Sequence, residues 1–218
     1  MERMDAIQWV LSVTIGLRLS QSKTLADLVA AAMRVERISL ANIGRALART
    51  TTAKHAIKRV WRFTSNPRIE IADAMSGVIE RLFRRRKKLL VVALDWTDIR
   101  GFHTLVASAV LKGRSIPLVW ASYQKWQLFR SQNSLEEGLL RLLKSMLPKN
   151  VRVVLLADRG FGRTEMARFC RQNGLHYVIR VASKVWIETK GYRGKLADYP
   201  VKKGMRRVLK DVRYRRND

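Results

Sequence analysis

Two nearly unbroken apolar stretches, Leu89 to Leu94 and Val151 to Ala157, each run straight into an aspartate, Asp95 and Asp158. A strand that is apolar at almost every position, not at alternate ones, is covered on both faces, so both stretches belong in the interior of a sheet. Between them lie strand candidates at Thr104 to Leu111 and Ile116 to Ala121, joined by a turn over Lys112 to Ser115 that contains Gly113. A helix follows, opening at Ser134 with Glu137 completing a capping box. It presents Leu135, Leu139, Leu142, Leu143 and Met146 on its apolar face and stops before Pro148. A helix between two interior strands is a crossover connection, which predicts that the first and fourth strands lie side by side and parallel. A helix from Thr164 to Asn173, closed by Gly174, and a last strand from Tyr177 to Ala182 complete the order β-β-β-α-β-α-β, a mixed-sheet α/β class.

The first part of the chain has a different period. Leu25, Leu28, Val29 and Ala32 recur at helical spacing behind the candidate caps Ser22 and Thr24, and Ile71, Met75, Val78, Ile79 and Leu82 repeat the pattern before the basic run Arg84 to Lys88. Ile7 to Leu17 reads as a buried helix. Ser39 can cap a helix through Leu47, and after a polar turn at Arg49 to Thr51 a second helix runs from Thr52 to Phe63. That spacing fits a helix-turn-helix, with Lys54, Lys58 and Arg62 on one stripe and Ile57, Val60 and Trp61 facing inward; taken by itself the segment fits better the commoner alternative, a helical bundle with a solvated basic face. The expected division is residues 1–88 helical, 89–183 α/β, and 184–218 basic and Gly-containing, with a strand at Val185 to Glu188.

Charge narrows the partner. Among 218 residues, 44 Lys and Arg stand against 17 Asp and Glu, a net charge of +27. A field of that sign collects polyanions, so nucleic acid is the expected partner, and the 47% hydrophobic content excludes a disordered basic tail. Cys170, the only cysteine, cannot form an intrachain disulfide, and no histidine has companion cysteines at zinc-finger spacing, so a reducing cytoplasm without structural zinc is expected. No apolar run approaches the roughly 18 residues of a membrane span. Phosphate-loop and dinucleotide glycine patterns are both missing from the sequence.

On neighbouring parallel strands Asp95 and Asp158 emerge at the same sheet edge, about 4.8 Å apart along the pairing direction. Two uncompensated carboxylates repel, and a hard divalent cation such as Mg²⁺ or Mn²⁺ relieves that repulsion with oxygen ligands. Taken singly, each aspartate also fits the blander role of capping a turn. Alternation along the strand turns Asp98 away from Asp95. His55 and His103 have no partners at metal-ligand spacing, and Cys170 shares the apolar side of its helix with Met166 and Phe169.

The segments Ala-Leu-Asp95-Trp-Thr97-Asp and Leu-Ala-Asp158-Arg159-Gly160-Phe161, with Val60-Trp61-Arg62-Phe63-Thr64-Ser65-Asn66 upstream, resemble the DDE transposases of bacterial insertion sequences, in the family named after insertion sequence number four. The resemblance implies a ribonuclease-H-like core preceded by a helical DNA-binding domain. It further implies metal ions (Mg²⁺ or Mn²⁺) held by Asp95 and Asp158, cleavage of duplex DNA at transposon ends with transfer to a target, and action as a homodimer in a bacterial cytoplasm, at the nucleoid. Arg159 is then expected to hold a phosphate or orient Asp158, and Arg45, Lys54, Lys58 and Arg62 to engage the DNA backbone. The family's third acid is a Glu in a helix with a Tyr, Arg, Glu and Lys pattern beyond a β-rich insertion. Here Tyr177 and Arg180 keep the spacing, Lys184 stands where the Glu is due, and only Glu165 and Glu188 follow Asp158. Residues 184–218 then resemble the opening of the insertion, and a truncated copy with impaired catalysis is expected. Its rivals are a non-catalytic DNA binder that restrains a full-length enzyme, and an RNA-binding protein.

Overall fold

A computed structural model describes residues 3–14, 16–48, 51–83, 89–202 and 204–215. The basic run Arg84 to Lys88, and residues 49 and 50 of the polar turn, lie outside them. The chain divides into two units, residues 1–86 with 146–148, and residues 87–145 with 149–218.

The first unit is helical: α1 (Arg3–Val13), α2 (Leu19–Ala32), α3 (Leu40–Leu47), α4 (Ala53–Thr64) and α5 (Ile71–Phe83). The Ser39 hydroxyl accepts from the Asn42 N–H and the Thr52 hydroxyl from the His55 N–H, so α3 and α4 begin where the sequence predicts. Two glycines allow close helix approach. A Cβ on Gly44 would meet Ile57 Cα at 2.6 Å, and one on Gly77 would fall 1.7 Å from the Val13 carbonyl oxygen.

Several expectations for this unit need correction. The α2 helix starts at Leu19, not behind Ser22 or Thr24: those hydroxyls donate to the Thr14 and Ser20 carbonyls and are spent before they can cap. The α1 helix stops at Val13 and buries Val10 and Val13 while leaving Trp9 and Leu11 exposed, so it is a half-covered helix. Trp61 does not face inward; it is 56% exposed, and Ala56 and Val60 alone fill the buried stripe of α4.

The second unit is built on a five-stranded sheet of order β3-β2-β1-β4-β5, from β1 (Leu89–Ile99), β2 (Phe102–Leu111), β3 (Arg114–Tyr123), β4 (Arg152–Ala157) and β5 (His176–Ile179). The first three strands form an antiparallel meander; β1 pairs with β4 in parallel, and β4 with β5 in parallel. The two apolar stretches are therefore neighbours, with β1 central. Helices α6 (Gln132–Met146) and α7 (Thr164–Gln172) make the two crossovers. A smaller antiparallel sheet, β7-β6-β8, follows, from β6 (Trp186–Thr189), β7 (Tyr192–Lys195) and β8 (Arg213–Arg215).

The capping box expected at Ser134 is not made: α6 already starts at Gln132, and Glu137 instead pairs with Arg141 one turn on, at 3.1 Å. The buried stripe of α6 is Glu136, Leu139, Leu140 and Leu143, while Leu142 is 41% exposed. A carboxylate thus occupies a core position that a purely apolar reading gives to leucine.

Candidate active site

Strand β1 alternates cleanly up to the acid: Leu90, Val92 and Leu94 are buried on one face, and Asp95 follows on the other. The parallel ladder between β1 and β4 ends at the pair Leu94–Ala157, and the next residue on each strand is Asp95 and Asp158. Both acids therefore lie just past the end of the shared ladder, at its carboxyl-terminal edge. Asp95 is not the end of its strand, however. The chain continues in the ladder with β2 through Ile99, so Asp95 sits where β1 loses its partner on one side only.

Both carboxylates are exposed. Asp95 makes no hydrogen bond or ion pair among the described residues. Asp158 opens a short helical turn (Arg159–Phe161), its Oδ1 accepting the Gly160 N–H at 2.8 Å. The capping role and the site role therefore coexist in Asp158, because the cap uses one carboxylate oxygen. The turn is pinned from inside: Phe161 is 2% exposed, and a Cβ on Gly162 would come within 2.9 Å of the Arg180 carbonyl oxygen.

The flanks of the two acids meet in a buried polar cluster that the sequence reading does not contain. Glu136, 1% exposed, accepts the Trp96 indole N–H at 2.8 Å and the Gln132 side-chain amide at 3.2 Å on Oε1. Its Oε2 lies 2.6 Å from Nη1 of Arg163, which is 9% exposed. Glu136 Oε2 and Arg163 Nε and Nη2 are buried with no hydrogen-bond partner, so the Glu136–Arg163 contact is an ion pair without a hydrogen bond. The available signal was Glu136 standing three, four and seven positions before Leu139, Leu140 and Leu143, on the stripe that faces the core.

Asp98 and His103 are cross-strand partners, with Nδ1 to Oδ1 at 2.6 Å, which supplies the partner that the sequence spacing of His103 does not reveal. Cys170 is fully buried, and burial pushes its thiol up to about 11, as befits a core residue and not a nucleophile. Beside the Asp158 turn opens a cavity of about 690 Å³, lined by Gln132, Arg159, Gly160, Arg163, Lys184 and Lys195 among others, without an acidic side chain. Among the described residues no group of three or more His, Cys, Asp or Glu side chains could hold a metal ion, and no helix is long and apolar enough to cross a membrane.

In the helical unit, Lys54, Lys58 and Arg62 are exposed on α4, and Arg45 is exposed on α3, where it donates to Asn42 Oδ1 at 3.0 Å. Arg62 also lines a groove of about 290 Å³ with Thr24, His55 and Arg59. The structure thus brings Asp95, Asp158 and Arg159 to one edge and Arg45, Lys54, Lys58 and Arg62 onto one helix pair.

Residues 86–218 match the model of the transposase DDE domain. No curated protein sequence matches this chain. Among solved structures, the chain is similar to one in the crystal structure of a pre-cleavage Mos1 transpososome, at 8% identity with a TM-score of 0.21, over 77% of this chain and 61% of that one. The chain therefore spans less than two thirds of that solved chain. Because the family match covers more than half of its 218 residues, the chain belongs to the transposase DDE domain family.

Proposed function

We propose that this chain is a DNA transposition protein of the insertion-sequence-four type, with a ribonuclease-H-like core over 89–183 and a DNA-binding helical domain over 1–88. The observation that carries the reading is the register: the parallel ladder stops at Leu94–Ala157, and an exposed aspartate follows on each strand. The donor set fits a hard divalent cation, since two carboxylates on adjacent strands supply oxygen ligands and Asp95 is uncommitted among the described residues. Asp95 and Asp158 would hold Mg²⁺ or Mn²⁺, which when bound supplies Lewis-acid activation for phosphodiester cleavage.

The chain's own residues do the rest. Arg159, exposed beside the basic cavity, holds a backbone phosphate near the acids. Arg45, Lys54, Lys58 and Arg62 neutralise phosphates of duplex DNA, and the net charge of +27 draws the polymer to the surface. The site works as part of a homodimer that gathers two transposon ends, in the bacterial cytoplasm at the nucleoid. Lacking a third acid in the described cluster, the chain cleaves poorly by itself. The same observation favours a second reading, a DNA-bound chain that restrains a complete transposase.

The test is duplex binding by fluorescence anisotropy together with Mn²⁺-dependent nicking of transposon-end DNA. Binding should weaken steeply with salt and persist in Asp95→Ala and Asp158→Ala, while any nicking disappears in both variants. Nicking unchanged in either variant rejects the metal assignment; salt-sensitive binding with no nicking by the wild type selects the second reading. Structured RNA that outcompetes duplex DNA overturns the DNA assignment.

A further inference from the structure

The backbone ladder that sets the distance between the two acids ends one residue short of both, at Leu94–Ala157. Beyond it β1 turns its hydrogen bonds to β2 alone, and the chain after Ala157 leaves the strand for the turn that Asp158 opens. Past that point the β1–β4 ladder no longer ties Asp95 to Asp158: β2 holds the one and the turn holds the other.

Glu136 stands where such a tie is needed. Its carboxylate takes the indole N–H of Trp96, the residue directly after Asp95, and faces the guanidinium of Arg163, which follows the Asp158 turn. The links Asp95–Trp96–Glu136–Arg163 and the short backbone from 163 back to 158 form a chain of contacts that joins the two acids from behind the strand. This linkage is rigid: Glu136 and Phe161 are almost wholly buried, Arg163 is nine-tenths buried, and Trp96 also packs against Tyr123 with ring centroids 6.1 Å apart. It is also costly, since a buried ion pair repays its desolvation poorly and two Arg163 nitrogens have no partner. An apolar pair would fill the same core space without that penalty.

We propose that Glu136 is a positioning residue: its buried carboxylate couples Trp96 to Arg163 and so fixes the separation of Asp95 and Asp158 beyond the end of their shared ladder. This rests on the reading of the two aspartates as joint cation ligands. Partners that orient metal ligands from behind typically contribute 10–100-fold to metal affinity. The cluster differs from such a shell in acting on the strand and turn that carry the ligands, not on the ligands themselves.

The experiment titrates Tb³⁺ into the full chain, reading emission sensitised by excitation of the tryptophans, of which Trp96 neighbours the site, with Mn²⁺ as competitor. Four variants accompany the wild type: Asp95→Asn, the double variant Glu136→Leu with Arg163→Met, Glu136→Gln, and Leu143→Ala as a core control, with folding checked by circular dichroism. Wild type should bind; Asp95→Asn should lose the signal. The double variant, folded, should bind roughly 10–100-fold more weakly, Glu136→Gln should weaken binding in the same direction, and Leu143→Ala should bind as the wild type does. Should the double variant not fold, Glu136→Gln decides. Unchanged affinity in the folded Glu136 variants overturns the proposal and leaves the two-aspartate site intact. Equal loss in Leu143→Ala overturns it too, since the effect is then general destabilisation. Wild type and Asp95→Asn binding alike overturns the site itself, and the positioning role with it.

Discussion

Removing one member of the buried Glu136–Arg163 pair should cost far more than removing both. Glu136 is 1% and Arg163 9% exposed, and their charged atoms lie 2.6 Å apart. Glu136→Leu leaves a largely buried guanidinium without its counter-charge, and Arg163→Met leaves a buried carboxylate in the same position; each should cost about 3–5 kcal/mol. The double variant replaces the pair with side chains of similar volume. It gains back the desolvation of two ions and loses the acceptor for the Trp96 N–H, about 1–3 kcal/mol, so its net change should be near zero. The coupling in a double-mutant cycle should therefore exceed about 3 kcal/mol. Urea unfolding gives the overall loss, and hydrogen exchange at the β1 and β4 amides reads the sheet by itself, because a chain of two units need not unfold in one step. Single-variant losses below about 1 kcal/mol, or losses that simply add, would refute the view that these charges are buried and mutually dependent.

The remaining expectations concern other positions. Phe161→Ala should cost about 3–5 kcal/mol, because a 2% exposed ring leaves a cavity under the Asp158 turn, whereas Phe161→Leu should cost less than about 2; chemical denaturation separates the two. Gly77→Ala puts a Cβ 1.7 Å from the Val13 carbonyl oxygen, so α1 and α5 must separate and the helical unit should lose about 1–3 kcal/mol or more, seen as earlier exchange of its amides. Burial pushes the Cys170 thiol from 9.0 up to about 11. The folded form thus favours the neutral thiol, the stabilisation is complete below the unfolded value, and about 2–3 kcal/mol should be lost as pH rises through the folded one. Cys170→Ala should flatten the stability profile between those pH values, and an unchanged profile would contradict the assignment. The Cys170 thiol should also react with an aromatic disulfide reagent only when the chain unfolds.

What the sequence made legible was what rests on periodicity. The apolar runs Leu89 to Leu94 and Val151 to Ala157, with a helix between them, put β1 and β4 side by side inside the sheet, although their burial alternates where cover on both faces was expected. Ser39 and Thr52 were readable as caps because their hydroxyls accept from the backbone N–H three residues on, whereas those of Ser22 and Thr24 donate to the Thr14 and Ser20 carbonyls, and α2 began earlier. The site was half legible for a related reason. Asp95 and Asp158 follow from strand direction, whereas Glu136 is polar by type and buried by position, and only the tertiary partners Trp96 and Arg163 reconcile the two. Its neighbour Glu137 carried the local capping signal, and that signal, valid in isolation, yielded to a helix that started two residues sooner.

Whether Asp95 and Asp158 share one cation can be read without turnover, through cleavage by bound iron. Fe²⁺ replaces Mg²⁺ at an oxygen-ligated site, and ascorbate with peroxide then cuts backbone close to the metal. The two-acid site predicts cuts around residue 95 and around residue 158 in the same sample, suppressed together by Mg²⁺ and both absent in Asp95→Asn. Cuts at only one of these positions, or a pattern that Asp95→Asn leaves unaltered, would mean that the two carboxylates do not grip a common ion.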